Sequence, residues 1–284
     1  MNNEQKIMKV MDLITMNGKH ANYQDLPRAL KMNFYEEFKS LNWNPNRLDM
    51  PRLIWILDAL KNKNIKSITD IGSNSGFFSV ELQQSYDATC IAFEPHAPHA
   101  EALSLIKELC GVEDSKLEVK NVGVALQDIE KLKGSDLLIF LNVLHHAGDD
   151  FDADLVKNLS DWREYSKKYL EGLSGKYDYM FFQLGNAWKG SAQKLFDDQN
   201  FFAETVNLLE ISGWRIESVG LIESFIGTPK YRTFPTKSEV TAQNVIREVS
   251  GIWKIIRYCA NKISFNVDYK FLNRPIYLCK SLKK

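Results

Sequence analysis

The stretch SITDIGSNSGFFSVEL, Ser67 to Leu82, decides how the chain folds. A short β-rich run, KSITDI over 66–71, passes through a turn bearing Gly72 and Gly76 into a helical run that starts near Phe77. Glycines let a backbone turn sharply and approach a ligand where a Cβ would intrude, and the helix that follows presents free N–H groups to a carboxylate. Asp70 stands at the strand end, where it can meet the ammonium of an amino-acid ligand, directly or through water. Gly72, Asn74 and Gly76 are the candidate binding residues of the loop itself.

Outward from this stretch the chain alternates strands and helices. Further strands are read at 89–94, 117–122, 136–142, 178–184, 214–222 and 275–281, seven in all with the first. Helices are read at about 75–85, 97–110, 153–171 and 199–212, the last closed by Gly213 in a position suited to a left-handed cap. The pattern predicts the α/β class: a Rossmann-like, seven-stranded, mostly parallel sheet with helices on both faces. Residues 1–65 read as a helical N-terminal extension, with Ile7, Val10, Met11 and Ile14 at helical spacing and Asp49 and Pro51 opening a second helix over 51–61. The main domain is expected over 66–284. Within it, 223–274 is an insertion before the last strand, containing YRTFP and a helix near 239–263.

A second acid sharpens the ligand. Glu94 ends the second strand 24 residues after Asp70, where a carboxylate can accept both hydroxyls of a ribose. A glycine loop and this acid together specify an adenosine-type ligand. The loop is not G-x-G-x-x-G, and its Gly72-x-x-x-Gly76 spacing suits an amino-acid ligand better than a pyrophosphate, which places NAD second.

Composition excludes several classes. No apolar run is long enough to span a membrane, and the first residues lack an export signal, so a cytoplasmic location is expected. The four cysteines are widely spaced without a C-x-x-C pair, which suggests neither a zinc site nor a disulfide framework. The 36 basic and 36 acidic residues cancel, yet 226–284 holds 12 Lys/Arg against 3 Asp/Glu. A basic final portion admits an anionic substrate, a nucleic acid, an acidic membrane surface or merely solvated helix faces.

The D-x-G-x-x-x-G motif of Asp70, Gly72 and Gly76, followed by the acidic strand tip Glu94, resembles the signature of class I S-adenosylmethionine-dependent methyltransferases over roughly 66–225. The resemblance implies S-adenosyl-L-methionine as cofactor. It places Asn121, Val122, Gly123 and Val124 beside the adenine and Asn142, at the fourth strand tip, near the methionine moiety. DIGSNSGFFSVEL followed by AFEP is similar to the opening of FkbM-like methyltransferases, whose Lys-Ile-Asp-x-Glu-Gly segment is absent here. DLLIFLNVLHHAGDDFD stands in its place. That stretch is similar to the common small-molecule methyltransferases, and somewhat to the tRNA wobble-uridine carboxymethyl transferases. No Asn-Pro-Pro-Tyr motif of amino-methylating enzymes is present.

His145 and His146 follow the fourth strand, and a histidine has the right pKa to take a proton from a hydroxyl near neutral pH. His96 and His99 read as surface or cap residues. Asp149, Asp150, Asp152 and Asp154 read as acids at a helix start rather than as cation ligands, and no metal is expected. After the fifth strand, Gln183, Asn186 and Trp188 offer amides and an aromatic face to a polyhydroxylated acceptor, and Trp188 equally suits packing. Tyr231 and Arg232 offer stacking groups. The expected activity is O-methylation of a small anionic or sugar-type acceptor. The rivals are a tRNA-modifying transferase and a scaffold that keeps the nucleotide fold without turnover.

Overall fold

Ile68, Thr69, Asp70 and Ile71 are buried in succession along the first strand, β1 (Ser67–Ile71). Unbroken burial means that both faces of the strand are covered, as in a parallel sheet between layers of helices. The computed structural model describes residues 1–16, 23–40, 48–198, 200–222, 230–235 and 274–283. Its residues cluster into two units: Met1–Val124 with Ser135–Ile139, and Ala125–Gly134 with Phe140–Lys284.

The first unit opens with four helices: α1 (Asn3–Thr15), α2 (Arg28–Asn33), α3 (Tyr35–Ser40) and α4 (Asp49–Leu60). Then come β1, α5 (Phe77–Tyr86), β2 (Thr89–Phe93), α6 (Ala97–Leu109), β3 (Leu117–Lys120) and the start of β4 (Ser135–Leu141). The strand order is β3-β2-β1-β4, and every pair is parallel, with Ile68 opposite Cys90 on one side and Leu137 on the other. The chain moves from β1 outward through β2 and β3, then returns to β4 on the far side of β1. In open α/β sheets such a reversal opens a crevice at the carboxyl ends of the strands, where ligands bind. Ile7, Val10, Met11 and Ile14 are buried as their spacing predicts, and α1 packs on α6.

The second unit holds α7 (Leu159–Ser174), β5 (Tyr177–Gln183), α8 (Phe201–Ile211), β6 (Trp214–Ile222), β7 (Tyr231–Pro235) and β8 (Ile276–Ser281). Its strands run β5-β8-β6-β7, and all three pairs are antiparallel. One sequence expectation changes here. The sheet has eight strands rather than seven, because YRTFP, placed in the insertion, pairs with β6 from Tyr231 opposite Ile222 to Pro235 opposite Ser218. The β3-β2-β1-β4 portion is parallel as expected, and the strands β5-β8-β6-β7 pair antiparallel.

α7 starts at Leu159 rather than near 153, with Asn158 as its side-chain cap. Asp152 does not cap it. Its backbone is left-handed at φ 51°, and its Oδ2 accepts from the Leu126 N–H and the Tyr165 hydroxyl. The helix expected near 239–263 lies outside the described residues. The three described cysteines, Cys90, Cys110 and Cys279, are buried free thiols. No helix among the described residues is long and apolar enough to cross a membrane.

Candidate active site

The glycine loop turns by three left-handed residues in five: Gly72 at φ 76°, Asn74 at 52° and Gly76 at 85°. It is fastened to the end of β2, where the Gly72 and Ser73 N–H groups both donate to the Phe93 carbonyl at 2.9 and 3.1 Å. Asn74 tolerates its conformation because its Oδ1 accepts from the adjacent Ser75 N–H at 2.8 Å. Its Nδ2 lies 3.1 Å from His99 Nδ1. An amide nitrogen can only donate, so that ring nitrogen accepts and the proton sits on Nε2. His99 is therefore a buried support of the loop and not the surface or cap residue its sequence position suggests.

Glu94 is 6% exposed, and its carboxylate joins two backbones. Oε2 accepts from the Asn74 N–H at 2.7 Å and Oε1 from the His96 N–H at 2.9 Å. A carboxylate has about four acceptor positions, so these two donors and a pair of ribose hydroxyls are compatible. Asn121 donates to the carbonyls of Glu94 and Pro95 at 2.9 and 3.2 Å, which draws the exit of β3 onto the exit of β2. There Val122 is half exposed, Gly123 lies against Pro95 and Val124 is buried.

Asp70 is buried, and among the described residues the only hydrogen bond to its carboxylate comes from the Ser79 hydroxyl at 2.6 Å. Burial pushes its pKa up to about 7, the Ser79 bond opposes the shift, and the like charge of Glu94 adds to it. The folded state thus keeps a proton that the unfolded chain loses above the ordinary value of 3.8. This carboxyl weakens the fold progressively as pH rises from there to about 7. A ligand ammonium would draw the pKa back down and expel the proton. Affinity for an α-amino ligand should therefore rise from pH 6 to pH 8, and Asp70→Asn should flatten that dependence. Calorimetry in buffers of different ionisation enthalpy reads the proton release directly, and a flat wild-type profile would sink the ammonium assignment.

In the second unit, Asn142 and Gln183 bind one another. Asn142, at φ 59°, donates from its backbone N–H to the Gln183 carbonyl and from Nδ2 to Gln183 Oε1, both at 2.8 Å. Arg274 completes a triad, donating from Nη1 to Asn142 Oδ1 at 2.9 Å and accepting from Gln183 Nε2 at its carbonyl at 2.7 Å. Asn186 closes its own loop by bonding both polar groups of Phe196, and the Trp188 indole donates to the Ala147 carbonyl at 3.0 Å. Gln183, Asn186 and Trp188, read from sequence as acceptor contacts, all hold loops together. Tyr231 and Arg232 lie on β7, the first half-buried and the second exposed.

The paired histidines differ. His145 is buried beneath Gly185, where an added Cβ would come within 2.8 Å of Nε2. His146 is partly exposed, with Nδ1 3.1 Å from the Asp150 carboxylate. His146, Asp149 and Asp150 bring one ligand atom each within 4.8 Å of the others. Both acids are exposed, and such groups gather without an ion.

Sequence reasoning missed Gln24 and Ser73. Gln24 Oε1 accepts from the Phe77 N–H at 3.2 Å and the Ser75 hydroxyl at 3.4 Å, at the start of α5. The Ser73 hydroxyl is fully buried without a hydrogen-bond partner among the described residues. No periodicity or motif marks either residue in the sequence.

The first unit thus presents a mixed α/β fold with a glycine loop and two buried carboxyl groups, Asp70 and Glu94, at the exits of parallel strands. No protein-family model and no curated protein matches the sequence. Among solved structures the chain is similar to the mitomycin 7-O-methyltransferase MmcR, at 16% identity and a TM-score of 0.39 over 61% of this chain. It spans about half, 49%, of that enzyme. It is also similar to the precorrin-6y C5,15-methyltransferase of Geobacter metallireducens GS-15, with 10% identity, coverage of 82% and 86%, and a TM-score of 0.40. For StiE O-MT residues 961-1257 the values are 10%, 91% and 84%, and 0.44. Likenesses this distant assign no residue a role.

Proposed function

We propose that the protein is an S-adenosylmethionine-dependent methyltransferase acting on oxygen of a small anionic or sugar-type acceptor. The observation that carries this reading is Glu94, a buried carboxylate held by the glycine loop at the exit of β2. Asp70 supports it as an acid without a cationic partner, suited to the ammonium of a methionine. In this reading Gly72, Asn74 and Gly76 shape the methionine end and Glu94 holds the ribose. Val122, Gly123 and Val124 border the base.

The cofactor supplies an electrophilic methyl group on a sulfonium. What the chain adds is alignment of donor and acceptor, exclusion of water and removal of the acceptor proton. The Asp150 carboxylate beside His146 supports His146 over His145 as the proton acceptor, since a nearby negative charge stabilises the imidazolium that forms. His145, packed under Gly185, suits a supporting role. The triad of Asn142, Gln183 and Arg274 favours an indirect part for Asn142 and Gln183. Residues 1–65 complete the reading as cover for the site, and most of the insertion 223–274 lies outside the described residues.

Thermal shift and calorimetry with S-adenosylmethionine, S-adenosylhomocysteine and NADH test the cofactor. Stabilisation by the first two alone is expected, and none by either would overturn the proposal. Tritium transfer from labelled S-adenosylmethionine into extract fractions should then mark small molecules. Label in RNA would reassign the acceptor, and binding without any transfer would leave a scaffold.

A further inference from the structure

The α5 N-terminus, where a carboxylate would be expected to meet free N–H groups, is already met by a side chain from the N-terminal extension. Gln24 is 7% exposed, and both groups facing its Oε1, the Phe77 N–H and the Ser75 hydroxyl, bond to it as donors. The two ends of a carboxamide are chemically distinct, so these contacts fix its orientation: oxygen toward the helix, NH2 away from it. No hydrogen bond joins that Nε2 to another described residue. Close by in the same loop, the Ser73 hydroxyl is fully buried and has no hydrogen-bond partner among the described residues. A buried hydroxyl without a partner is costly unless something else bonds it.

Gln24 is also held in place. The next residue, Asp25, donates its N–H to Asp49 at 2.8 Å and accepts from Lys31 at 2.7 Å, and Asp49 pairs with Arg52 at 2.9 Å. Arg28 grips the buried Glu81 of α5 through Nε at 2.8 Å and Nη2 at 2.7 Å. Buried ion pairs seldom add net stability, but they fix where a segment sits.

We propose that Gln24 is a cofactor-recognition residue, and that its Nε2, with the Ser73 hydroxyl, receives the α-carboxylate of the bound amino-acid portion. The carboxamide takes the donor polarity of the α5 N-terminus at its oxygen and presents two N–H donors beyond it. Together with Asp70 for the ammonium, it makes the site selective for an intact α-amino acid head over other adenosine compounds. This rests on the cofactor reading above.

Gln24→Glu separates recognition from structure, because a glutamate still accepts from the Phe77 N–H yet turns an oxygen toward the ligand carboxylate. By calorimetry at pH 8, the variant should bind S-adenosylhomocysteine about tenfold or more weakly than the wild type. It should bind 5′-methylthioadenosine, which lacks the amino-acid head, equally well. Its unliganded thermal midpoint should stay near that of the wild type. Should Glu perturb the fold, Gln24→Met, which keeps the length and loses the donors, is read by the same ratio of the two ligands. Unchanged S-adenosylhomocysteine affinity overturns the proposal, and so does equal weakening of both ligands, which marks a purely structural residue. If the wild type binds neither ligand, the cofactor reading itself falls and takes this proposal with it. Failure of the proposal alone appears instead as a wild type that binds and a ligand ratio that does not change.

Discussion

Glu94→Ala is expected to weaken S-adenosylhomocysteine binding by about a hundredfold or more, since each ribose hydroxyl loses an ionic acceptor worth about 1.5–3 kcal/mol. The structure adds a second effect that the strand-tip position alone does not suggest. The N–H groups of Asn74 and His96 lose their acceptor, at about 1–3 kcal/mol for each donor left unsatisfied. The variant should therefore unfold at lower denaturant and also hold its loop less well. Glu94→Gln, which keeps one acceptor oxygen, should fall between the two in stability while losing most of the affinity. Denaturant unfolding and calorimetry on the three proteins check this. Wild-type affinity in a folded Glu94→Ala protein would remove the ribose assignment.

The second large effect is expected at Gly76. A Cβ there would lie 1.9 Å from Leu103 Cδ1 and 2.9 Å from its Cγ, and Leu103 is fully buried. Gly76→Ala therefore combines a left-handed residue, costing about 1–2 kcal/mol, with overpacking worth about 1–3 kcal/mol. Gly111 provides the control, since its φ is 68° and nothing lies within 4 Å of its added Cβ. Gly111→Ala should show the backbone strain alone. The difference between the two urea midpoints isolates the clash with α6. Equal midpoints would mean that α6 yields freely and that the close approach at Gly76 is dispensable.

The two positions also show what was legible in advance. A glycine turn between strand and helix, followed by an acid one strand later, constrains backbone geometry wherever it occurs, so Gly72, Gly76 and Glu94 could be read without a structure. The strand boundaries followed from runs of β-branched and aromatic residues, and β6 falls on 214–222 as expected. β7 was hidden because YRTFP is short, ends in proline and lies within the stretch read as an insertion. Asp152 misled for a different reason: an acid ahead of a helix looks like a cap, whereas this one bonds a distant backbone N–H and a tyrosine. Gln183, Asn186 and Trp188 carry the same donors whether they meet an acceptor molecule or a neighbouring loop. Gln24 reaches α5 across 53 residues of chain, a separation at which no local pattern exists.

The clasp of Asn142, Gln183 and Arg274 bears on how the protein can change. Arg274 stands two residues before β8, and 38 residues, 236–273, separate it from the end of β7. β8 lies between β5 and β6, and the part-buried hydrogen bonds that join Arg274 to Gln183 and Asn142 define where the strand begins. The start of β8 is thus fixed by side-chain bonds to the end of β5 and the tip of β4, so that Arg274→Ala should loosen the β5-β8 edge first at Phe182 and Tyr277.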